Sequence, residues 1–264
     1  MMEPSIKKII YGTRISGWLL IFLLILLWEL LPRLGILYDR YFPPFTTVMW
    51  AFSEGIRSME IPRHASVSIF RAFRGYLLAI LIGVTLGTLS GTIKWLSELL
   101  ELSVELLRPT PSVALVPIAI LLFGTSDSYN ISIITFACTW PIYTNTFEGT
   151  RSVDPEWIDT ARVYGSTRHE IIRKVVIPAA SPYIVSGLRI SLGISVIVVT
   201  VTEMVASYKG LGFFIMDTYA AYQIPQMYAG VITVGIVGYG LNRLFLVGED
   251  RLMAWHKGWK SKVI

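Results

Sequence analysis

The chain has 264 residues, of which 53% are apolar and only 16% charged, with 23 Lys and Arg against 18 Asp and Glu. An average soluble domain carries about 25% charged residues, so too few polar groups are present to cover a water-facing surface, and an all-α integral membrane protein is expected. The same numbers exclude a disordered chain, and the single Cys138 excludes an internal disulfide framework. Cys138 lies in an apolar run and reads as a small residue of the membrane core, not a reactive thiol.

In chain order, six apolar stretches approach the roughly 20 residues needed to cross a bilayer. They are 15–31, 67–91, 106–123, 131–147, 184–206 and 227–247. The first follows Lys7, Lys8 and Arg14, and Leu31-Pro32-Arg33 offers no small-residue cleavage site, so it is expected to be a retained anchor. Behind it, Tyr41-Phe42-Pro43-Pro44 suggests an interfacial anchor and 46–56 a short helix lying on the membrane. With six spans both termini share a side. Placing that side in the cytoplasm puts Lys94, Arg108, Arg151, Arg162, Arg168, Arg173, Lys174, Arg251, Lys257, Lys260 and Lys262 inside with the N-terminal three. Only Arg33, Arg40, Arg57, Arg63 and Lys209 then lie outside. Basic residues concentrate in cytoplasmic loops, which favours N-in, C-in. Net positive charge so distributed points to topology and not to nucleic acid.

Lipid gives helices no hydrophobic reason to associate, so small residues mark where backbones approach. The second span carries Gly75, Ala79, Gly83, Gly87 and Gly91 on one helical face. Close static packing or sliding between helices would both use such a stripe. Smaller stripes occur at Gly187, Ser191 and Ser195, and at Gly230 and Gly238. Pro109, Pro111 and Pro117 break or bend the third span. Arg71, Arg189 and Glu203 are ionisable residues at membrane depth, which usually face protein or a water-filled route. They are candidates for a translocation path. Arg71 could draw an anionic solute toward it, or could pair with Glu203 as a structural ion pair; Glu203 could serve in gating or in structural hydrogen bonding.

The segment 149–182 is the most specific part of the chain. Asp154 is a good N-cap, Pro155 a good first helical residue, and Glu156 complements the helix dipole. Gly165 can end that helix in the left-handed conformation after about ten residues. Thr167 with Glu170 spells a capping box that starts a second helix at once, and Pro178 is expected to end it. Two short helices at a sharp angle would then carry Arg162, Arg168, Arg173 and Lys174 beside Trp157, Ile158, Val163 and Tyr164. Such a loop could dock on a partner, or its charges could serve only to fix topology.

Asp159-Thr160-Ala161, three residues, Gly165, nine residues, then Val175-x-Ile177-Pro178 resembles the EAA loop of permease subunits in bacterial ABC importers, whose pattern is E-A-A-x3-G-x9-I-x-L-P. The spacing is matched throughout; the departures, at 159, 160, 175 and 177, keep charge sign or approximate size. Ser68-x-x-Arg71-x-x-x-Gly75, Pro117 through Phe123-Gly124, Gly187–Gly193, Thr202-Glu203-Met204 and Gly210-Leu211-Gly212 are similar to the nitrate/sulfonate/taurine branch. The resemblance implies a type I ABC importer permease fold in the inner membrane. It also implies a coupling helix seated in an ATP-binding subunit, with Asp159, Ala161, Gly165 and Pro178 as its framework and Tyr164, Ser166 and Arg168 near the contact. Further implied partners are an extracytoplasmic solute-binding protein and a second permease copy. The layout would be 1–60 for the tail, first span and outer segment, 61–250 for the permease core, and 251–264 for a basic tail. No G-x-x-x-x-G-K-[ST] stretch occurs, so ATP and Mg belong on the partner and no cofactor, metal or catalytic residue is expected in this chain. Nitrate, taurine, other sulfonates or bicarbonate suit a cationic entry, while similar permeases carry neutral vitamin precursors. An ion-gradient-driven secondary transporter is the competing class, against which stands the lack of a visible inverted repeat of broken helices.

Overall fold

A computed structural model describes residues 4–252, side chains of residues 4–16, 250 and 252 aside. The helices are α1 (Pro4–Arg33), α2 (Phe45–Arg57), α3 (Glu60–Thr92), α4 (Lys94–Leu107), α5 (Val116–Phe123), α6 (Asp127–Arg151), α7 (Pro155–Val163), α8 (Arg168–Ile171), α9 (Ile177–Ala206), α10 (Leu211–Ala220) and α11 (Ile224–Leu252). Most of the basic tail 251–264 lies outside the described residues. The chain divides into two compact units, Met1–Pro62 with Phe214–Ile232, and Arg63–Phe213 with Thr233 onward.

In the first unit, α2 supplies the short helix expected over 46–56. The Trp28 ring lies 5.5 to 5.9 Å from those of Phe42, Phe45 and Tyr228, and its indole N–H donates to the Pro43 carbonyl at 3.0 Å. The aromatic-proline turn is thereby locked between α1 and α2. Ile61, Phe214 and Ala229 bury a small separate core, with Phe52 packed on it.

The second unit is built on α6, which packs between α3 and α9. On the α3 side the glycine stripe sets the register. A side-chain carbon at Gly75 would lie 2.7 Å from Ile134, at Gly83 2.8 Å from Ile142, and at Gly87 2.7 Å from Thr146; at Gly91 it would overlap Thr150. Each step along α3 is matched by an equal step along α6, so the two helices run parallel and in contact. On the α9 side the pairing is antiparallel: Gly149 meets Tyr183, Gly187 meets Asn145, and Ser191 and Cys138 exchange side-chain bonds with each other's carbonyls at 2.9 and 3.3 Å. Cys138 is fully buried there. Enclosed on both sides, α6 needs little lipid-compatible surface. This accounts for its polar Asn130, Thr139, Asn145 and Thr146. Gly83→Leu should therefore wedge α3 from α6 and lower the thermal midpoint, since overpacking a tight core costs about 1–3 kcal/mol. Gly240→Leu, where an added carbon meets nothing within 4 Å, is the control; equal melting of the two variants in detergent would remove the packing account.

Among the described residues three helical runs are long and apolar enough to cross a membrane, or four if one bent pair counts as a span. The expected six stretches fall on α1, α3, the α4–α5 pair, α6, α8–α9 and α11. The third stretch is broken, as its prolines predict, and its first arm begins earlier than 106: α4 runs from Lys94 to Leu107 and a 3-10 turn at Ser112–Leu115 leads into α5, with an 87° bend between the arms. Pro109 and Pro111 lack N–H groups and disfavour helix before them, so the break falls among them. One expectation requires correction: Pro178 does not end the second loop helix. A π turn at Ile172–Val176, closed by the Ile177 N–H on the Ile172 carbonyl, widens the chain just before the proline. The misfit of a ring without an N–H is absorbed there, and one helical run continues from Arg168 to Ala206.

Candidate functional site

The loop between α6 and α9 is a rigid, capped unit. The Asp154 carboxylate accepts from the Glu156 N–H at 2.9 Å and starts α7. Gly165 closes it at φ +77°, a left-handed conformation that glycine adopts without cost. Its N–H donates to the Arg162 carbonyl at 2.9 Å, and that of Ser166 to Ala161 at 3.1 Å, the paired bonds of a Schellman ending. Thr167 and Glu170 then cap each other reciprocally. Lys174, 2.8 Å from Glu170, together with the Thr167 amide and hydroxyl, holds the Glu170 carboxyl down at about 2. A depressed carboxylate contributes stability above its unfolded value, lost only as pH falls through the folded one; the box stays charged at any cellular pH.

Side chains divide cleanly between inside and outside. Val153, Ile171 and Val176 are buried, with Ile158, Ala161, Val175 and Ala179 packed on them, so the loop has its own small core continuous with the base of α9. Asp159 pairs with Arg162 at 2.9 Å on the exposed face. At the tip, Val163 and Tyr164 are 86% and 84% exposed, flanked by Arg162 and Arg168. A stiff turn thus presents an apolar pair at its tip with an arginine on either side. Pro178 is exposed and lines a recess with Trp157, Ala161 and Lys174. The residues expected for coupling, Asp159, Ala161, Tyr164, Gly165, Ser166, Arg168 and Pro178, thus all belong to one compact feature.

At the opposite end of α9 a second constellation forms. Arg71 is 6% exposed and Glu203 1%. Arg71 Nη1 donates to Glu203 Oε1 at 2.9 Å and to the Lys209 carbonyl at 2.7 Å, while Nε and Nη2 reach Asp127 Oδ1 at 2.8 and 2.5 Å. The other Glu203 oxygen accepts from Ser68 Oγ at 2.7 Å and from the Gly212 N–H at 3.1 Å. Ser68 Oγ in turn accepts from the Leu211 N–H at 2.8 Å, and His64 Nδ1 from the Gly210 N–H at 3.0 Å. Gly210 has φ +112°, and any side chain there would overlap the Glu203 carboxylate. One carboxylate and one guanidinium therefore tie α3, α6, α9 and the loop that leads to α10, with all three guanidinium nitrogens engaged.

The short motifs Ser68-x-x-Arg71, Thr202-Glu203-Met204 and Gly210-Leu211-Gly212, far apart in sequence, meet here. Asp127 is the member that sequence reasoning missed; its only signal was an acidic residue in the first turn of a helix. Arg189 is not brought to this cluster. It lies on the exposed face of α9 with Ser186 and Gly193.

Apolar helices long enough to cross a membrane, joined by a stiff and exposed loop, define a membrane protein, and its class follows from its relatives. The chain belongs to the family of binding-protein-dependent transport system inner membrane components, whose model matches residues 79–252. The aliphatic sulfonates transport permease protein SsuC of Bacillus subtilis is 34% identical over 259 residues, covering 98% of this chain and 93% of that protein. The bicarbonate transport system permease protein CmpB of Synechococcus elongatus is 35% identical over 193 residues, 73% of this chain and 66% of that one. Among solved structures, an amino acid ABC transporter superposes with a TM-score of 0.61 at 16% identity, over 76% of this chain and 98% of that one. The fold is that of a type I ABC importer permease, all helical among the described residues, and the family is one of inner-membrane components.

Proposed function

We propose that the chain forms one half of the transmembrane route of an ATP-driven importer for a small anionic solute, of the sulfonate or inorganic oxyanion class. The observation that carries this is mechanical. The docking tip of α7 is fixed by caps and a small core to a helical run that continues unbroken to Glu203. Movement of the tip by a partner is thus delivered to the far end of the unit and not lost in a flexible loop. The anionic class is supported by the names of the relatives above and by Arg189, a cation on the exposed face of α9, which we place on the route. Arg71 and Glu203, saturated by each other and by Asp127, would bound the route as a fixed wall.

In this reading the loop faces the cytoplasm, with both termini on that side. ATP and Mg are held by a separate ATP-binding subunit seated on Tyr164, Ser166 and Arg168. A solute-binding protein delivers from outside, and a second copy of this chain completes the path. Reconstitution into vesicles with the ATP-binding subunit and binding protein tests it. Uptake of labelled taurine or another sulfonate, or of bicarbonate, should require ATP and both partners. Uptake by this chain alone on an ion gradient would instead support a secondary transporter, and Arg189→Gln with unchanged uptake kinetics would remove that residue from the route.

A further inference from the structure

A third feature of the larger unit belongs neither to the loop nor to the ion-pair cluster. A trough of about 640 Å³ runs between α3, α4, α5 and α6, walled by apolar side chains that include Leu78, Ile82, Leu107, Phe123 and Phe136. That volume is ordinary for a site that takes a small molecule. Its α4 wall has no buried residue at all, so this helix stands against the bundle with little packing of its own. Among the buried side-chain polar atoms without a hydrogen-bond partner, the indole nitrogen of Trp140 belongs to a residue lining the trough and the hydroxyl of Thr144 to one lining a smaller recess beside it. Buried polar groups left unpaired are uncommon in native proteins and call for an explanation.

Toward the loop end of α6 the trough meets this smaller recess, with Val104 and Tyr143 lining both. The recess is lined by Glu101, Glu105 and Glu148 together with Arg108 and Arg151. None of these five forms an ion pair within 4 Å among the described residues, and Arg151 sits over the Phe147 ring at 5.3 Å. Charges of both signs held around one opening without pairing are poised for a ligand that itself carries both signs. The slot beneath them is walled mainly by apolar side chains of α3, α4 and α6, helices of the expected second, third and fourth spans.

We propose that the trough and its mouth bind one zwitterionic phospholipid of the ethanolamine class. An acyl chain fills the slot between α4 and α6, the phosphate lies on Arg108 and Arg151, and the primary ammonium on the glutamates. An anionic lipid would satisfy the arginines but bring its charge against three carboxylates. A choline lipid has no N–H to donate to them. With the lipid in place α4 acquires the packing that the protein alone does not give it.

The assembled complex, stripped with detergent and returned to nanodiscs, tests this by mass spectrometry of retained lipid. Phosphatidylethanolamine should be held in preference to phosphatidylglycerol and phosphatidylcholine. Arg108→Gln should lower its retention on the order of tenfold, the loss of one charge-assisted hydrogen bond. Ile82→Trp, which fills the slot and leaves the mouth intact, should abolish retention while the complex still melts cooperatively. Equal retention of the three headgroups, or undiminished retention in Ile82→Trp, would overturn the site. So would cross-linking of Phe136→Cys, in a Cys138→Ala background, to the same position of a second copy, since the trough would then be filled by protein.

Discussion

Replacing Arg71 by methionine is expected to lower the thermal midpoint of the purified permease by on the order of 10 °C, with loss of folded yield. The guanidinium is the shared donor of Glu203, Asp127 and the Lys209 carbonyl. Removing it strands a carboxylate that is 1% exposed. Breaking a buried pair by deleting one member costs about 3–5 kcal/mol, and in a chain of this size each kcal/mol moves the midpoint by roughly 2–4 °C. The partner change is the discriminating one. With Glu203→Met added, the uncompensated charge is gone, and a large part of the loss should be recovered, as expected for side chains coupled through one network. If Arg71→Met instead melts like wild type and only weakens solute affinity, the residue serves the solute and the wall assignment fails.

Much of this architecture was legible in the chain, and what was not has identifiable reasons. The glycine stripe of α3 announced a helix at close range, because a missing side chain every fourth residue has few other uses in a membrane; its partner, α6, was not legible, since any helix can fill a smooth face. Asp154, Gly165, Thr167 and Glu170 act within a few residues of themselves, so spacing alone revealed them. Arg71 and Asp127 meet across 56 residues, and only a settled register between α3 and α6 brings them together. The bend before α5 was signalled by its prolines and falls at Pro109 and Pro111, but the arm before it was not legible as far back as Lys94, because the apolar run starts only near 106. In α4, Trp95, Leu99, Leu102 and Leu106 recur at helical spacing and Glu98, Glu101 and Glu105 on another face; that periodicity separates it from the stretch that follows. The π turn before Pro178 carries no sequence signature. A proline states that a hydrogen bond is missing, not whether the helix stops or widens.

The same local legibility makes the loop between α6 and α9, on the function proposed above, the place where one residue should cost the most. Gly165→Val is expected to insert and fold in the membrane, yet lose the ATP-binding subunit in pull-down and lose uptake with it. At φ +77° a side chain crowds the carbonyl that follows, at a cost of about 1–2 kcal/mol, and a β-branched one more. The cheapest relief is to release the two bonds onto Arg162 and Ala161, which frees the end of α7 and with it Val163 and Tyr164. Those side chains meet nothing in the loop's own core, so the membrane bundle has no reason to melt, and its thermal midpoint should be close to that of wild type. Asparagine tolerates the left-handed region better than other residues with a side chain. The series Gly165, Gly165→Asn, Gly165→Val should therefore grade both recruitment and uptake in that order. Asp159→Lys tests the tip from its other side, replacing an ion pair with Arg162 by repulsion, and recruitment should fall there as well. A valine variant that holds its ATP-binding subunit as firmly as wild type would mean that the rigid tip is not what the partner grips.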